Sequence, residues 1–361
     1  MKVLLVEPYH GGSHGAWAEG YRRHSEHTVN LISLPARFWK WRMHGAFLTL
    51  AEQAARRIDE DGPVDVILAS SMMDVAAFAG AMRNVAPGVP IALYLHESQF
   101  TYPLSPADRV DLTYGMQNWA SVATADLVIF NSHHHRDEFR REARLLLNGF
   151  PDAKHVHLID PTIDASVVIP VGVETDALAR RVRTPALPPL VVWNHRWEHD
   201  KGPDELLAIA EGLVASEVPF TMAMCGEVFV SVPPTYGEVV DHFGDRLVHH
   251  GWLERDAYEE LLASAAVVLS TAHHEFFGIG IVEGIAAGAH AVLPNRLVYP
   301  ERIADLGGDA TRSLYDDPAH AVELILHALV TPEEPRLRAA THRYDWTVVA
   351  PTLDAALSRV V

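Results

Sequence analysis

The chain has 361 residues, 48% of them apolar, and 29 Lys and Arg against 47 Asp and Glu give it a formal net charge of −18. That length exceeds one ordinary core and suits two domains, while the acidic balance argues against broad nucleic-acid binding but leaves room for a local basic patch. A single cysteine, Cys225, excludes an internal disulfide and a Cys-rich zinc module; with no apolar run of spanning length and no secretory-signal layout, the expectation is a cytoplasmic protein without a membrane partner.

Lys2–Glu7 reads as a buried-type strand, followed by a glycine loop from Pro8 to Gly15 and a helix from about Ala16 to His24. This is the usual opening of an open parallel sheet whose ligands sit beyond the strand ends. The spacing is not Gly-x-Gly-x-x-Gly. Gly11 and Gly12 either make a plain turn or line a site, and the crowding of His10, Ser13 and His14 favours the site.

Thr28–Leu34 is a second strand. Leu34–Gly45 then interleaves Arg37, Lys40 and Arg42 with Phe38, Trp39 and Trp41, a pattern that suits phosphates and stacked bases. A loop clamped to the core by its aromatics would look the same. Val64–Ser70 and Ile91–His96 are the third and fourth strands, and the fourth runs into Glu97 and Gln99. Tyr114–Ala123 is helical and Leu127–Phe130 a strand. Asn131–Ser132 caps a helix whose Arg136, Arg140, Arg141 and Arg144 read most simply as a solvated face. His133–His135 and His249–His250 lack metal-ligand spacing with carboxylates, so no metal site is expected. Val167–Val171 closes this half.

Arg180 to Pro189 is linker-like, and a second alternation begins with the strand Leu190–Trp193. It leads into a loop carrying Arg196 and Lys201, with a helix from Pro203, a favoured first helical residue. Two cations on one strand-to-helix loop can converge on a diphosphate, the Arg as a fork and the Lys as a point charge. Phe220–Met224, Leu247–His250, Ala265–Ser270 and His290–Leu293 are further strands. The stretch His273–Gly288 reads as turn and helix after the third of these. Gly278 and Gly280 let backbone approach a ligand, and the N–H groups of the new helix point at that spot. Glu275 and Glu283 bracket the turn, a layout that fits a sugar joined to a nucleoside through two phosphates. An early helical Glu is also favoured by the dipole alone, so by itself the stretch leaves both readings open.

Arg196-x4-Lys201 and Glu275-x7-Glu283, with the paired N-terminal glycines and Tyr344-Asp345-Trp346 before a last helix, resemble the retaining glycosyltransferases of the GT-B fold. A narrower set resembles the tRNA-queuosine alpha-mannosyltransferases: Glu7-x3-Gly11-Gly12-Ser13-His14, Leu34-Pro35-Ala36-x2-Trp39-x-Trp41-Arg42, Tyr94-x-His96-Glu97-x-Gln99-x2-Tyr102-Pro103 and Trp193-Asn194-His195-Arg196-Trp197-Glu198-x-Asp200-Lys201. The resemblance implies an α/β protein with two Rossmann-like domains facing a central cleft. An acceptor-binding domain over 1–185 would receive a C-terminal helix at about 345–361, and a nucleotide-sugar domain would span 186–344. Mannose would pass from GDP-mannose to the cyclopentene diol of queuosine in tRNA(Asp), with retention and with neither a cofactor nor a divalent metal.

The resemblance also implies roles for single residues. Arg196, Lys201, Glu275 and His96 would be catalytic. Gly11, Gly12, Phe277, Gly278, Ile279 and Glu283 would join Arg196 and Lys201 in binding the donor. Ser13, His14, Trp39, Lys40, Trp41, Arg42, Glu97 and Gln99 would meet the acceptor. Apart from the resemblance, the helical spacing of Arg136, Arg140 and Arg144 would let that helix extend the cationic surface toward a tRNA. Two other readings keep the donor motifs. One is a retaining transferase with a small-molecule, lipid or glycan acceptor; the other is a non-catalytic nucleotide-sugar or RNA-binding protein, against which the intact Arg196, Lys201, Glu275 and Glu283 weigh.

Overall fold

The structure is a computed structural model that describes residues 1–101, 111–228, 232–331 and 335–361. Tyr102 and Pro103 of the third narrow motif lie outside the described residues. The aliphatic runs of the first half form β1 (Lys2–His10), β2 (Thr28–Pro35), β3 (Val66–Ser70), β4 (Ile91–Leu95), β5 (Leu127–Phe130) and β6 (Val167–Val168). They pair in parallel in the order β2-β1-β3-β4-β5-β6. The second half forms β7 (Leu190–Asn194), β8 (Thr221–Cys225), β9 (Leu247–Gly251), β10 (Ala265–Leu269), β11 (His290–Pro294) and β12 (Leu314–Tyr315). Its parallel sheet has the order β12-β11-β10-β7-β8-β9. Every residue of β3, β4, β5 and β11 is buried, as parallel strands are when helices cover both faces.

The chain divides into two compact units, Met1–Gly172 with Trp346–Val361, and Val173–Asp345. Each has its own core. Leu4, Val6, Leu50, Leu93, Phe130 and Phe139 anchor the first, and Val191, Trp193, Leu206, Met222, Leu269 and Val292 the second. Strand order then decides where side chains can gather. In the second sheet β7 leads outward to β8 and β9 on one side, while β10 leads to β11 and β12 on the other. The loops after β7 and β10 therefore diverge at the reversal point, where open sheets leave a crevice. Arg196 and Lys201 sit on the first loop and Glu275 on the second. In the first sheet the same reversal lies between β1 and β3.

Two local expectations are corrected. The glycine loop after β1 shrinks to Gly11, because β1 continues to His10 through a bulge that pairs His10 with Pro35, and the helix begins at Gly12. Leu34–Gly45 is not a core-clamped loop. Trp39 opens a 23-residue helix, Trp39–Asp61, whose buried Met43, Ala46, Leu50 and Ala54 carry the helical period. The aromatic-basic start masked that period in the sequence. Phe38 precedes it at φ 56°, a left-handed conformation uncommon outside glycine. Among the described residues no helix is long and apolar enough to cross a membrane.

The last helix, Trp346–Leu357, packs on the first unit. Buried Asp354 accepts hydrogen bonds from Tyr21 Oη (2.7 Å), Ser25 Oγ (2.7 Å) and the Glu26 N–H (2.9 Å). The Trp346 indole lies against Gly20 and Gly172, where an added Cβ would come within 2.3 Å of its ring at either position. Gly172→Ala is therefore expected to lower stability by roughly 1–3 kcal/mol through overpacking. The readout is the denaturant midpoint at unchanged slope. Gly80→Ala, where a Cβ meets nothing within 4 Å, is the control and should hold or gain stability. A wild-type midpoint for Gly172→Ala would remove Trp346 from that seat.

Candidate active site

In the second unit the loop after β7 is built around a buried ammonium. Lys201 Nζ donates to the His274 carbonyl (2.8 Å) and lies 3.0 Å from Asp200 Oδ2 and 3.7 Å from Glu275 Oε2. Burial opposes ionisation of Asp200 and Glu275, but Lys201 outweighs it and holds both carboxyls below their usual range. Glu275 Oε1 in turn accepts from the N–H groups of Phe276 (3.1 Å), Phe277 (3.2 Å) and Gly278 (3.0 Å). This corrects the sequence reading, which left those N–H groups to a ligand. The donors that remain are Ile279 and Gly280, first in the helix Ile279–Ala287 and without intrahelical acceptors by their position.

Arg196 is half exposed, with Nη2 3.1 Å from Glu198 Oε2. Glu283 is buried in the second turn of the helix, accepting from Arg255 Nη1 (2.5 Å) and Tyr258 Oη (3.0 Å). Asn194, at the end of β7, donates to Tyr258 Oη (2.9 Å) and to the Gly280 carbonyl (2.7 Å), tying the two loops together. His195 is buried against Ser270 Oγ (2.8 Å), and burial followed by Lys201 lowers its pKa to about 3, so it is neutral. Arg255, Tyr258, Asn194 and Asp200 were given no role in the sequence. The Arg255–Tyr258–Glu259 spacing on one helix was the available signal for the first two.

The first unit holds a second buried charge group, at the ends of β1 and β4. His14 Nδ1 lies 3.2 Å from Glu7 Oε1, and His14 Nε2 lies 3.1 Å from Glu97 Oε2. Burial acts against the charge, yet Glu97 and Glu7 together raise the His14 pKa to about 10. His14 is therefore an imidazolium donating from both nitrogens. The His96 ring sits 4.2 Å from it, packed against Trp17 and Tyr94. Burial, then the His14 and His135 charges, hold His96 neutral, and its buried Nε2 has no hydrogen-bond partner. Glu7, His14 and His96 offer ligand atoms within 4.8 Å of one another, a grouping invisible in the sequence spacing. Because both His14 nitrogens already face carboxylates, its proton takes the place a cation would need.

Around this group the acceptor assignments separate. Ser13 is exposed at the start of the helix Gly12–His24. The Gln99 N–H donates to Asn118 Oδ1 (2.8 Å) and its side chain turns to Met72. Trp39 packs on Tyr114 at 5.2 Å, with Lys40 Nζ over its ring at 5.6 Å. Phe38 and Trp41 stand 72% and 65% exposed, and Arg42 Nη2 donates to the Pro35 carbonyl (3.2 Å). The Tyr9 ring lies 5.9 Å from that of His14, edge to face. The helix His133–Asn148 does not extend the cationic surface as expected. Arg140 Nη2 lies 2.6 Å from Asp164, Arg144 Nη2 2.8 Å from Asp160, and Arg136 and Arg141 pair with Asp137 and Glu142. Of the donor assignments, Gly11 and Gly12 lie in the first unit, and Arg196, Lys201, Phe277, Gly278, Ile279 and Glu283 in the second; His96 is in the first.

Residues 2–173 match the family described as tRNA-queuosine alpha-mannosyltransferase N-terminal. The tRNA-queuosine alpha-mannosyltransferase of Drosophila melanogaster is 34% identical over 312 residues, 83% of this chain and 81% of the fly protein. The chain belongs to the tRNA-queuosine alpha-mannosyltransferase family. Sucrose-phosphate synthase from Thermosynechococcus elongatus superposes with a TM-score of 0.73 at 14% identity, covering 100% of this chain and 99% of that one. The Anabaena HepE protein, solved in complex with UDP, gives 0.68 at 17% identity over 99% of this chain and 100% of its own. The fold is GT-B, and the family member described here is a glycosyltransferase.

The His14 group has a pH signature. A His whose pKa rises from 6.5 to about 10 on folding stabilises fully below about 6.5, and that contribution is lost as pH climbs to about 10. Wild-type stability should therefore fall between pH 7 and 10 more steeply than that of His14→Gln, as urea midpoints at each pH would report. Parallel slopes in the two proteins would mean His14 is not held as an imidazolium.

Proposed function

We propose that this family member transfers mannose from GDP-mannose to the cyclopentene diol of queuosine in tRNA(Asp), with retention at the sugar carbon, in the cytoplasm. The observation that carries the reading is the 83% of the chain matched to a transferase of that name, with the family match over residues 2–173 taking in His14, Glu97 and Trp41. In the proposed reaction the bond from the sugar carbon to the diphosphate oxygen breaks on the same face where the acceptor hydroxyl attacks. The departing phosphate oxygen takes the acceptor's proton, so neither a base nor a cofactor is required.

Arg196 and Lys201 meet the negative charge that grows on the diphosphate, which is where electrostatic stabilisation yields most. No divalent metal is assigned to the phosphates. The Ile279 and Gly280 N–H groups receive a phosphate oxygen at the helix start. Glu275 keeps Oε1 on its own turn and presents Oε2 to hydroxyls of the sugar. Glu283, oriented by Arg255 and Tyr258, offers its remaining lone pairs to the ribose. His96, neutral and with Nε2 unpartnered, lines the reacting end of the sugar.

On the acceptor side, Trp41 and Phe38 provide exposed ring faces for bases, and Arg37 and Lys40 the charge for phosphates. The arginines of the helix His133–Asn148 are neutralised by neighbouring carboxylates, so few phosphates are contacted and the salt dependence of tRNA binding should be shallow. Charge reversal at Lys40 should cut tRNA glycosylation while sparing slow hydrolysis of the sugar nucleotide.

Arg196→Ala or Lys201→Ala should lower turnover on the order of 10²-fold or more, the usual loss for an electrostatic stabiliser. The acceptor is tested with tRNA(Asp) from cells that make queuosine and from cells that do not, each supplied with GDP-mannose. Mannose should enter only the first. Equal incorporation into both, or none into either, would discard queuosine in favour of a small-molecule or glycan acceptor, the reading that the net charge of −18 favours.

A further inference from the structure

Arg302 is a buried charge for which the proposed chemistry has no use. It lies on the helix Tyr299–Asp305 and is 1% exposed. Its guanidinium carbon is 4.8 Å from the ring centre of Phe277 and 5.0 Å from that of Tyr344. The two rings meet edge to face at 5.4 Å. Nη2 lies 2.8 Å from Glu301 Oε1 and Nη1 3.4 Å from Asp305 Oδ2, while the buried Nε makes no hydrogen bond. Tyr344 Oη donates to the same Asp305 Oδ2 at 2.8 Å. The guanidinium is thus fixed by two ring faces as much as by its carboxylates.

Those rings belong to two places of different kind. Phe277 precedes Gly278, where the helix Ile279–Ala287 begins, and its N–H is held by Glu275. Tyr344 stands next to Asp345, after which the chain leaves the second unit. The Tyr344 carbonyl accepts from the Val173 N–H at 2.8 Å, at the point where the chain enters that unit. Val173 and Asp345 form a parallel bridge, and Asp345 Oδ2 accepts from the Asp176 N–H (2.8 Å) and Thr175 Oγ1 (3.3 Å). The two chain crossings are fastened to each other, and Arg302 fastens them to the turn. At the far end of the same helix Arg338 repeats the arrangement, donating to the Ala286 carbonyl (3.1 Å) and to the carbonyls of Ala179 (2.7 Å) and Arg181 (3.0 Å).

We propose that Arg302 is a positioning residue that couples the donor turn to the paired crossings at Val173 and Asp345, so that a nucleoside diphosphate bound at the turn is felt where the chain passes between units. The proposal rests on the donor reading above. Phe277 has its N–H on Glu275 and its ring on Arg302. A phosphate oxygen drawn onto the Ile279 and Gly280 N–H groups therefore pulls the start of that helix, and with it the Phe277 backbone, against an anchored ring. The strain is relieved through Tyr344 and its Val173 hydrogen bond. Linkage makes the effect reciprocal, so loosening the crossings should also weaken the donor.

The test is hydrogen exchange on the full chain with and without GDP, in wild type, Arg302→Lys and Tyr344→Leu. Lysine keeps a charge for Glu301 and Asp305 but lacks the planar group that faces both rings. Tyr344→Leu removes one ring and leaves the buried ion pairs intact, which covers the case in which an Arg302 variant does not fold. In wild type GDP should slow exchange both at 275–283 and at 173–176 with 341–345. In either variant protection should persist at 275–283 and be lost at the crossings, and the KM for GDP-mannose should rise about 5- to 10-fold. A merely structural Arg302 would lower stability without changing where GDP protects. Protection at the crossings in the variants, or its absence there in wild type while the turn is protected, overturns the coupling. If GDP protects the turn in none of the proteins, the donor reading itself has failed and the coupling falls with it.

Discussion

The Lys201 side chain is 8% exposed, and its Nζ has Asp200 Oδ2, the His274 carbonyl and Glu275 Oε2 at 3.0, 2.8 and 3.7 Å. An ammonium withdrawn from water costs several kcal/mol unless oxygens replace its hydration, so these partners are a condition of its being there. The rest of the second unit's site hangs from that requirement. Glu275 stays ionised against its burial because the Lys201 ammonium lies beside it. Its second oxygen organises the Phe276–Gly278 backbone, and that turn aims the helix Ile279–Ala287. Thr271 Oγ1 locks the Lys201 carbonyl at 2.6 Å and accepts from Trp193 Nε1 at 3.0 Å, which ties the loop after β7 to the loop after β10. Removing the ammonium would strip the buried Asp200 and the partly buried Glu275 of their nearest positive charge. Loss of activity and loss of local order at this lysine are therefore not separate effects.

The first unit repeats the device with different residues. His14 lies between Glu7 and Glu97 as Lys201 lies between Asp200 and Glu275, one buried cation to two carboxylates in each case. Both groups sit at the ends of strands where sheet order reverses, β1 in one unit and β7 with β10 in the other. The imidazolium also keeps its neighbour neutral. A proton on His96 would stand 4.2 Å, ring to ring, from an existing positive charge, inside a wall made by Trp17 and Tyr94. A neutral imidazole with a free lone pair is suited to accept from a hydroxyl. The charge on His14 thus acts on chemistry in which His14 need not take part.

What the sequence disclosed follows from the range of each interaction. Strands of five buried residues declare themselves by composition, and all but β12 were legible; β12 has two residues and exists only as a partner to the end of β11. Arg196 with Lys201, and Glu275 with Glu283, could be singled out because each pair lies within one strand-to-helix connection and its first turns. Glu7 with Glu97, and Glu283 with Arg255, were not, because each pair is joined only through tertiary contacts across many residues. The helix His133–Asn148 shows the opposite failure. Its arginines recur at helical spacing and look free, yet the carboxylates that neutralise Arg140 and Arg144 come from a short neighbouring helix, Ile159–Asp164. Periodicity identifies a face but not what covers it.

The turn at Glu275–Gly278 is held from two sides by buried cations, Lys201 acting on the Glu275 carboxylate and Arg302 on the Phe277 ring. A backbone turn that must order when its ligand arrives loses affinity to that ordering, whereas one already formed does not. Here the ordering is done by Glu275, whose carboxylate takes the N–H groups that an anion would otherwise find. In the proposed donor reading this moves the phosphate one step further on, to Ile279 and Gly280, where the helix begins. It also lets a carboxylate stand beside the phosphates of the proposed donor. With one oxygen spent on three N–H groups and the other facing Lys201, Glu275 presents little uncompensated charge to a diphosphate. The same carboxylate that builds the turn is thereby made tolerable next to the proposed diphosphate.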